Sequence, residues 1–251
     1  MKIIVTRVTE HYNERVRYIR FMFLKKFLAT PTALFYRRIS HLRRTGFKPR
    51  LILDIGAYRG GWSQYMRKFF PASKFFLVEA NEDHRAYLDK LTFANYAIAL
   101  LGEKRKKRVD YYAVKQSGIS TGNSIFKERT HSYDDVDIRK LPMVTLDYVV
   151  KKYRIQNIDF IKLDTQGSEL NIIRGASATI DQSEFVLIET QNLEYNKNAP
   201  FIFEVFSVME NYGFALYDIT ELHYLPSGEL FQVDLLFVKQ TSKYLKTGVL
   251  C

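Results

Sequence analysis

The stretch LILDIGAYRGGW, Leu51 to Trp62, runs a short apolar strand straight into a glycine turn, the element that opens most nucleotide-binding α/β folds. The dinucleotide form G-x-G-x-x-G is met only in part, because Gly56 and Gly61 take the first and third places while Tyr58 occupies the second. The motif by itself therefore leaves the ligand open.

Strand and helix signals alternate outward from this turn, beginning at Pro49. RLILDIG is followed by a helical GWSQYMRKFF, KFFLVEAN by a helical EDHRAYLDKL, and NYAIALL forms a third strand. After the helix LDYVVKKY comes the strand DFIKLDT, and after SELNIIRGA the strand EFVLIET. Short continuous apolar strands separated by helices indicate a parallel sheet covered on both faces. The end differs: after the helix FIFEVFSVMENYG, the strands FALYDITE and LFQVDLLFVKQ are separated only by a loop, LHYLPSGE. Two strands joined without a crossover must be antiparallel. The basic run EKRKKR, Glu103 to Arg108, reads as an exposed turn, and SGISTGNSIF, Ser117 to Phe126, as a polar loop whose short hydrogen-bonding side chains suit a polar acceptor such as a sugar.

With 251 residues, 47% of them hydrophobic, the chain can bury a full core as one domain. Its single cysteine, Cys251, excludes an internal disulfide and a Cys-ligated zinc site and suits a reducing compartment, so the expected location is cytoplasmic. No apolar run approaches the roughly 20 residues of a membrane span, and MKIIVTRVTEHYNER has too short an apolar centre for a secretory signal. The net charge of +11 is unevenly spread: residues 1–50 hold 13 Lys/Arg against Glu10 and Glu14, and the remainder balances 25 basic with 25 acidic residues. Val16, Ile19, Phe23 and Phe27 have helical spacing between Asn13 and Leu28, as do Phe35, Ile39 and Leu42 after an N-terminal Thr30-Pro31. The expected layout is a basic amphipathic helical extension over 1–47, an α/β domain over 48–240, and a C-terminal tail over 241–251. The extension could cap the body or meet an anionic membrane at its inner face.

Ligands of such folds sit at the carboxyl ends of the strands. Asp54 stands two positions before Gly56; a carboxylate there opposes a pyrophosphate, which wants N–H groups and a helix N-terminus. It favours S-adenosyl-L-methionine, which carries a sulfonium and an ammonium and no phosphate. Glu79 ends the second strand, 25 residues after Asp54, where an acid can accept hydrogen bonds from both ribose hydroxyls of an adenosine.

GFKPRLILDIGAYRGGWS, FFLVEAN, SGISTGNSIFKE, VTLDYVV with DFIKLDTQGSELNIIRGA, and LFQVDLLFVK together resemble the FkbM-type S-adenosylmethionine-dependent methyltransferases over roughly Gly46 to Lys239. The resemblance implies the Rossmann-like seven-stranded class I methyltransferase sheet with an antiparallel last strand. It implies that Asp54, Gly56 and Gly60 form the methionine-side loop and that Glu79 holds the ribose. Asn81 and the segment around Ala97 would flank the adenine, with Asp164 beside the methyl group. Tyr58 departs from the glycine-rich loop of methyltransferases generally.

A hydroxyl acceptor must lose its proton, which calls for a base. The candidates are Asp164, which could instead partner the cofactor's ammonium, Glu189 after the fifth strand, and His223 on the loop before the last strand. Asp164, Glu169 and Glu189 could together hold Mg²⁺; a favourable charge at a helix start accounts for Glu169 as well, and no metal is assigned. The expected reaction is O-methylation of a hydroxyl, of a sugar in polysaccharide or glycolipid biosynthesis or of a natural product. The alternatives are a nucleic-acid methyltransferase gripping phosphate through its basic N-terminus, disfavoured because DTQG replaces the proline-rich motif of amine methylation, and a non-catalytic binding module on the same fold.

Overall fold

The computed structural model describes residues 33–114, 122–127, 136–194, 196–197 and 199–245. The helix expected between Asn13 and Leu28, the first part of SGISTGNSIF and the end of the C-terminal tail lie outside them. In chain order the elements are α1 (Ala33–Arg44), β1 (Leu51–Ile55), α2 (Gly61–Phe69), β2 (Lys74–Glu79), a 3₁₀ turn (Glu82–His84), α3 (Arg85–Leu88), β3 (Ala94–Ile98), β4 (Leu100–Leu101), β5 (Lys106–Val114) and β6 (Val136–Val144). There follow α4 (Leu146–Lys152), β7 (Ile158–Leu163), α5 (Glu169–Arg174), α6 (Ser177–Gln182), β8 (Phe185–Gln191), α7 (Ile202–Asn211), β9 (Phe214–Tyr224) and β10 (Leu230–Lys239).

Seven strands form one sheet in the order β3-β2-β1-β7-β8-β10-β9. β1 pairs in parallel with β2 and β7, and β10 runs antiparallel to both β8 and β9. This is the seven-stranded sheet with a reversed strand that the resemblance implies. The parallel strands are buried on both faces, which is why they read as unbroken apolar runs. Leu53, Ile55, Ile161 and Ile188 face α4–α7, while Ile52, Phe160, Leu187 and Leu236 face α1 and α2. The reversal of order between β2 and β7 opens the crevice beyond the end of β1.

α1 belongs to this body. Phe35, Ile39 and Leu42 are fully buried and join the cluster under β1, β7 and β8, and Arg38 pairs with Asp218 on β9 at 3.2 Å. Its apolar stripe is thus a core face.

Four local readings change. EDHRAYLDKL is a 3₁₀ turn and a single helical turn. Lys106 to Arg108 of the EKRKKR run enter β5. β9 continues to Tyr224, so His223 lies within a strand and not on the preceding loop. A second sheet, β4-β6-β5, was absent from the sequence reading. Pro142 makes VDIRKLPMV look broken, since proline cannot donate to a ladder; it sits where the β5–β6 register slips, between Val109↔Leu141 and Lys106↔Met143.

Candidate active site

The glycine turn after β1 is held by neighbouring strands. The Gly56 and Ala57 N–H groups donate to Val78 O on β2, and the Asp164 N–H donates to Ile55 O at 3.1 Å. Gly56 has φ of +77°, and a Cβ there would lie 1.8 Å from the Asp164 carbonyl oxygen. Only glycine lets the ends of β1 and β7 meet this closely.

Asp54 points beneath this turn and is fully buried. One carboxylate oxygen accepts from Ser63 Oγ on α2 at 2.6 Å; the other faces Lys162 Nζ on β7 at 3.3 Å. Its charge is matched within the protein by Lys162. Lys162 also reaches Asp164 Oδ2 at 3.1 Å and Gly56 O at 3.3 Å. Burial works against the ammonium, but Asp164 and Asp54 outweigh it and raise Lys162 above its ordinary range.

Asp164 is about a third exposed, at 32%. Burial opposes its ionisation, yet the charge of Lys162 and the hydrogen bond from Gln166 pull the carboxyl down to about 2. Gln166 Nε2 bridges Asp164 Oδ1 at 3.0 Å and Glu189 Oε2 at 2.8 Å. Glu189 stands in register with Asp234 on β10, and Asp234 with Glu221 on β9. His223 Nε2 lies 3.6 Å from Asp234 and 3.8 Å from Glu221. One ligand-type atom each of Glu189, His223 and Asp234 falls within 4.8 Å of the others. Burial raises the Asp234 carboxyl, with His223 acting against the rise.

On the other side of the turn, Glu79 closes β2. Its carboxylate accepts from the Tyr58 N–H at 2.7 Å and the Asn81 N–H at 2.8 Å. Burial pushes its carboxyl up to about 7 against those N–H groups and the charge of Lys162. Tyr58 adopts the left-handed conformation at φ 52°, and its ring packs edge-on against His84 at 4.5 Å, with the Arg59 guanidinium 4.9 Å from its centroid. Asn81 caps the 3₁₀ turn by accepting from the Asp83 N–H and also accepts from Arg139 on β6 at 2.9 Å. The second sheet is thereby tied to this side of the crevice. Ala97 is buried on β3 opposite Val78, and the Ala99 N–H donates to Glu79 O.

Sequence-read candidates thus fall into two groups around the turn: Glu79, Asn81 and Ala97 on the β2–β3 side, and Asp164, Glu189 and His223 on the β7–β9 side. Asp54 lies below and Gly56, Tyr58 and Gly60 form the turn itself. Glu169 is engaged locally: its Oε1 accepts from the Thr165 N–H, Thr165 Oγ1 and the Gly167 N–H, closing its own loop. The described part of the polar loop meets the site, with Ser124 Oγ donating to Gln166 O at 2.7 Å. Lys162, Gln166 and Asp234 were not singled out; Lys162 and Asp234 each stand inside an apolar run, IKL and VDLL.

The methyltransferase FkbM domain profile matches residues 54–216. No curated protein matches the chain. Among solved structures, the chain is similar to M. capricolum TrmK in complex with S-adenosylhomocysteine (10% identity, 81% of this chain and 66% of that one, TM-score 0.47). It is also similar to Burkholderia thailandensis 1,6-didemethyltoxoflavin-N1-methyltransferase (11%, 90% and 89%, 0.42) and to Aeropyrum pernix fibrillarin with bound S-adenosyl-L-methionine (10%, 76% and 67%, 0.42). At such identities none of the three says what this chain acts on.

Proposed function

The chain belongs to the methyltransferase FkbM domain family, and from that premise we propose that it transfers the methyl group of S-adenosylmethionine to a hydroxyl of a sugar, in glycan or natural-product assembly. The observation that carries this reading is the connected row Asp164–Gln166–Glu189 with Asp234 and His223, which begins at the glycine turn and extends across β8, β10 and β9.

In this reading Glu79 accepts the ribose hydroxyls, Asn81 and the backbone around Ala97 flank the adenine, and Gly56–Gly60 lies along the methionine. Asp164 stays ionised throughout the working pH range and faces the cationic end of the donor. A carboxylate titrating near 2 is a poor base at neutral pH, so the proton passes to His223, oriented by Asp234 and Glu221, with Glu189 and the Ser124 loop holding the acceptor. The acceptor oxygen attacks the methyl carbon as the carbon–sulfur bond breaks, the electron pair stays on sulfur as a neutral thioether, and the imidazole takes the hydroxyl proton. The sulfonium is already a good leaving group, so alignment does much of the work, on the order of 7–11 kcal/mol for well-oriented reactants.

The basic residues before β1 support cytoplasmic work beside an anionic leaflet, where lipid-linked glycans are built; no helix among the described residues is long and apolar enough to cross a membrane. Incubation with methyl-labelled S-adenosylmethionine and a panel of nucleotide sugars, glycolipids and RNA tests the acceptor class. Label on a sugar hydroxyl is expected; label confined to RNA would overturn the assignment.

A further inference from the structure

Lys162 is an anomaly in the centre of the fold. It occupies β7 between Ile161 and Leu163, under the Trp62 ring at 5.7 Å from its centroid, and only 7% of its side chain is exposed. A buried ammonium is unfavourable unless its charge is matched and its protons are hydrogen-bonded. Here the ammonium donates to Gly56 O at 3.3 Å and forms ion pairs with Asp54 Oδ1 at 3.3 Å and Asp164 Oδ2 at 3.1 Å. These oxygens belong to the end of β1, the glycine turn and the end of β7. The ammonium is thus matched within the protein, by groups of its own strand ends.

We infer that Lys162 is a positioning residue for methyl transfer: it locks the Gly56 carbonyl and the Asp164 carboxylate in the geometry the methyl donor requires and leaves Asp164 ionised above a buried Asp54. The inference rests on assigning the Gly56–Gly60 turn to S-adenosylmethionine. Without the ammonium, Asp54 and Asp164 would stand uncompensated on adjoining strand ends. Asp234 on β10 and Glu169 on α5 also feel the Asp164 charge, which disfavours their own ionisation. Glu79, across the turn, loses the same favourable field. A cationic donor then finds fewer ionised partners, and they ionise at higher pH.

Titration calorimetry of S-adenosylmethionine from pH 5 to 9 tests this with wild type, Lys162→Met and the charge-balanced Lys162→Met/Asp54→Asn. In Lys162→Met the dissociation constant is expected to rise at least tenfold, with the acid limb of affinity moved to higher pH and kcat at saturating donor reduced less. The double variant should recover part of the affinity because one of the two stranded carboxylates is gone. Should Lys162→Met not fold, the acid limb of the double variant, expected above that of wild type, makes the decision. A folded Lys162→Met with unchanged affinity and limb, or a folded double variant with the wild-type limb, would overturn the inference. Absence of binding by wild type would instead overturn the assignment of the turn.

Discussion

At the scale of single residues, ionisation separates the roles around the glycine turn. His223→Ala is expected to lower kcat by about 10²–10⁴, the usual contribution of a general base, while leaving the dissociation constant of S-adenosylmethionine within about twofold. Stopped assays and calorimetry check the two halves, and a variant with undiminished kcat would remove His223 from the proton path. Glu79 carries a pH dependence. Its carboxyl titrates at about 7 in the free protein, and ribose hydroxyls donate best to the ionised form, so affinity is expected to rise as pH rises from 6 to 8 and then level off. Glu79→Gln should flatten the profile at the weak end; an affinity that falls across this range would contradict the ribose assignment. The placement of Asp54, Glu79 and Asp164 was legible in the sequence because each stands at or within one residue of a strand terminus. Lys162 and Asp234 were not, because an ionisable residue inside an apolar run reveals its purpose only when the neighbouring strands supply Asp54, Asp164 and His223.

At the scale of elements, the parallel strands were legible because burial on both faces leaves a continuous apolar signature, and the reversed ending because no helix fits between β9 and β10. β5 and β6 escaped for the opposite reason. They form a charged, half-covered sheet interrupted by Pro142, and their pairing is long-range in part, with Arg139 reaching Asn81 and Asp83 at 2.9 and 2.8 Å. α1 was legible as an amphipathic helix, but its partner was not, since a basic helix with one apolar stripe can face either a sheet or a lipid surface. Ile39 is fully buried against that sheet. Ile39→Ala should therefore destabilise the protein by about 2–5 kcal/mol, as truncation of a core aliphatic side chain does, read from urea or thermal unfolding. A loss below about 0.5 kcal/mol, typical of surface positions, would show that α1 is not part of the folding unit.

At the scale of the whole molecule, charge is segregated: a neutral body follows an amino-terminal region carrying the entire +11. Each basic residue near an anionic leaflet is worth about 1 kcal/mol, and salt screens such contacts. The protein is expected to sediment with vesicles containing phosphatidylglycerol at low salt and to be released as salt is raised, with little binding to neutral phosphatidylcholine vesicles. Equal binding to both compositions would rule out an electrostatic membrane contact. Glu189, Asp234 and Glu221, side by side on β8, β10 and β9, would repel a polyphosphate acceptor and suit a neutral polyol. The central claim is spatial, namely that donor and base occupy the two sides of one turn. A crystal structure with S-adenosylhomocysteine tests it most directly. The account predicts the ribose hydroxyls on Glu79 and the sulfur atom beside Asp164, facing Glu189 and His223; a ligand bound elsewhere, or a sulfur atom turned away from His223, would contradict it.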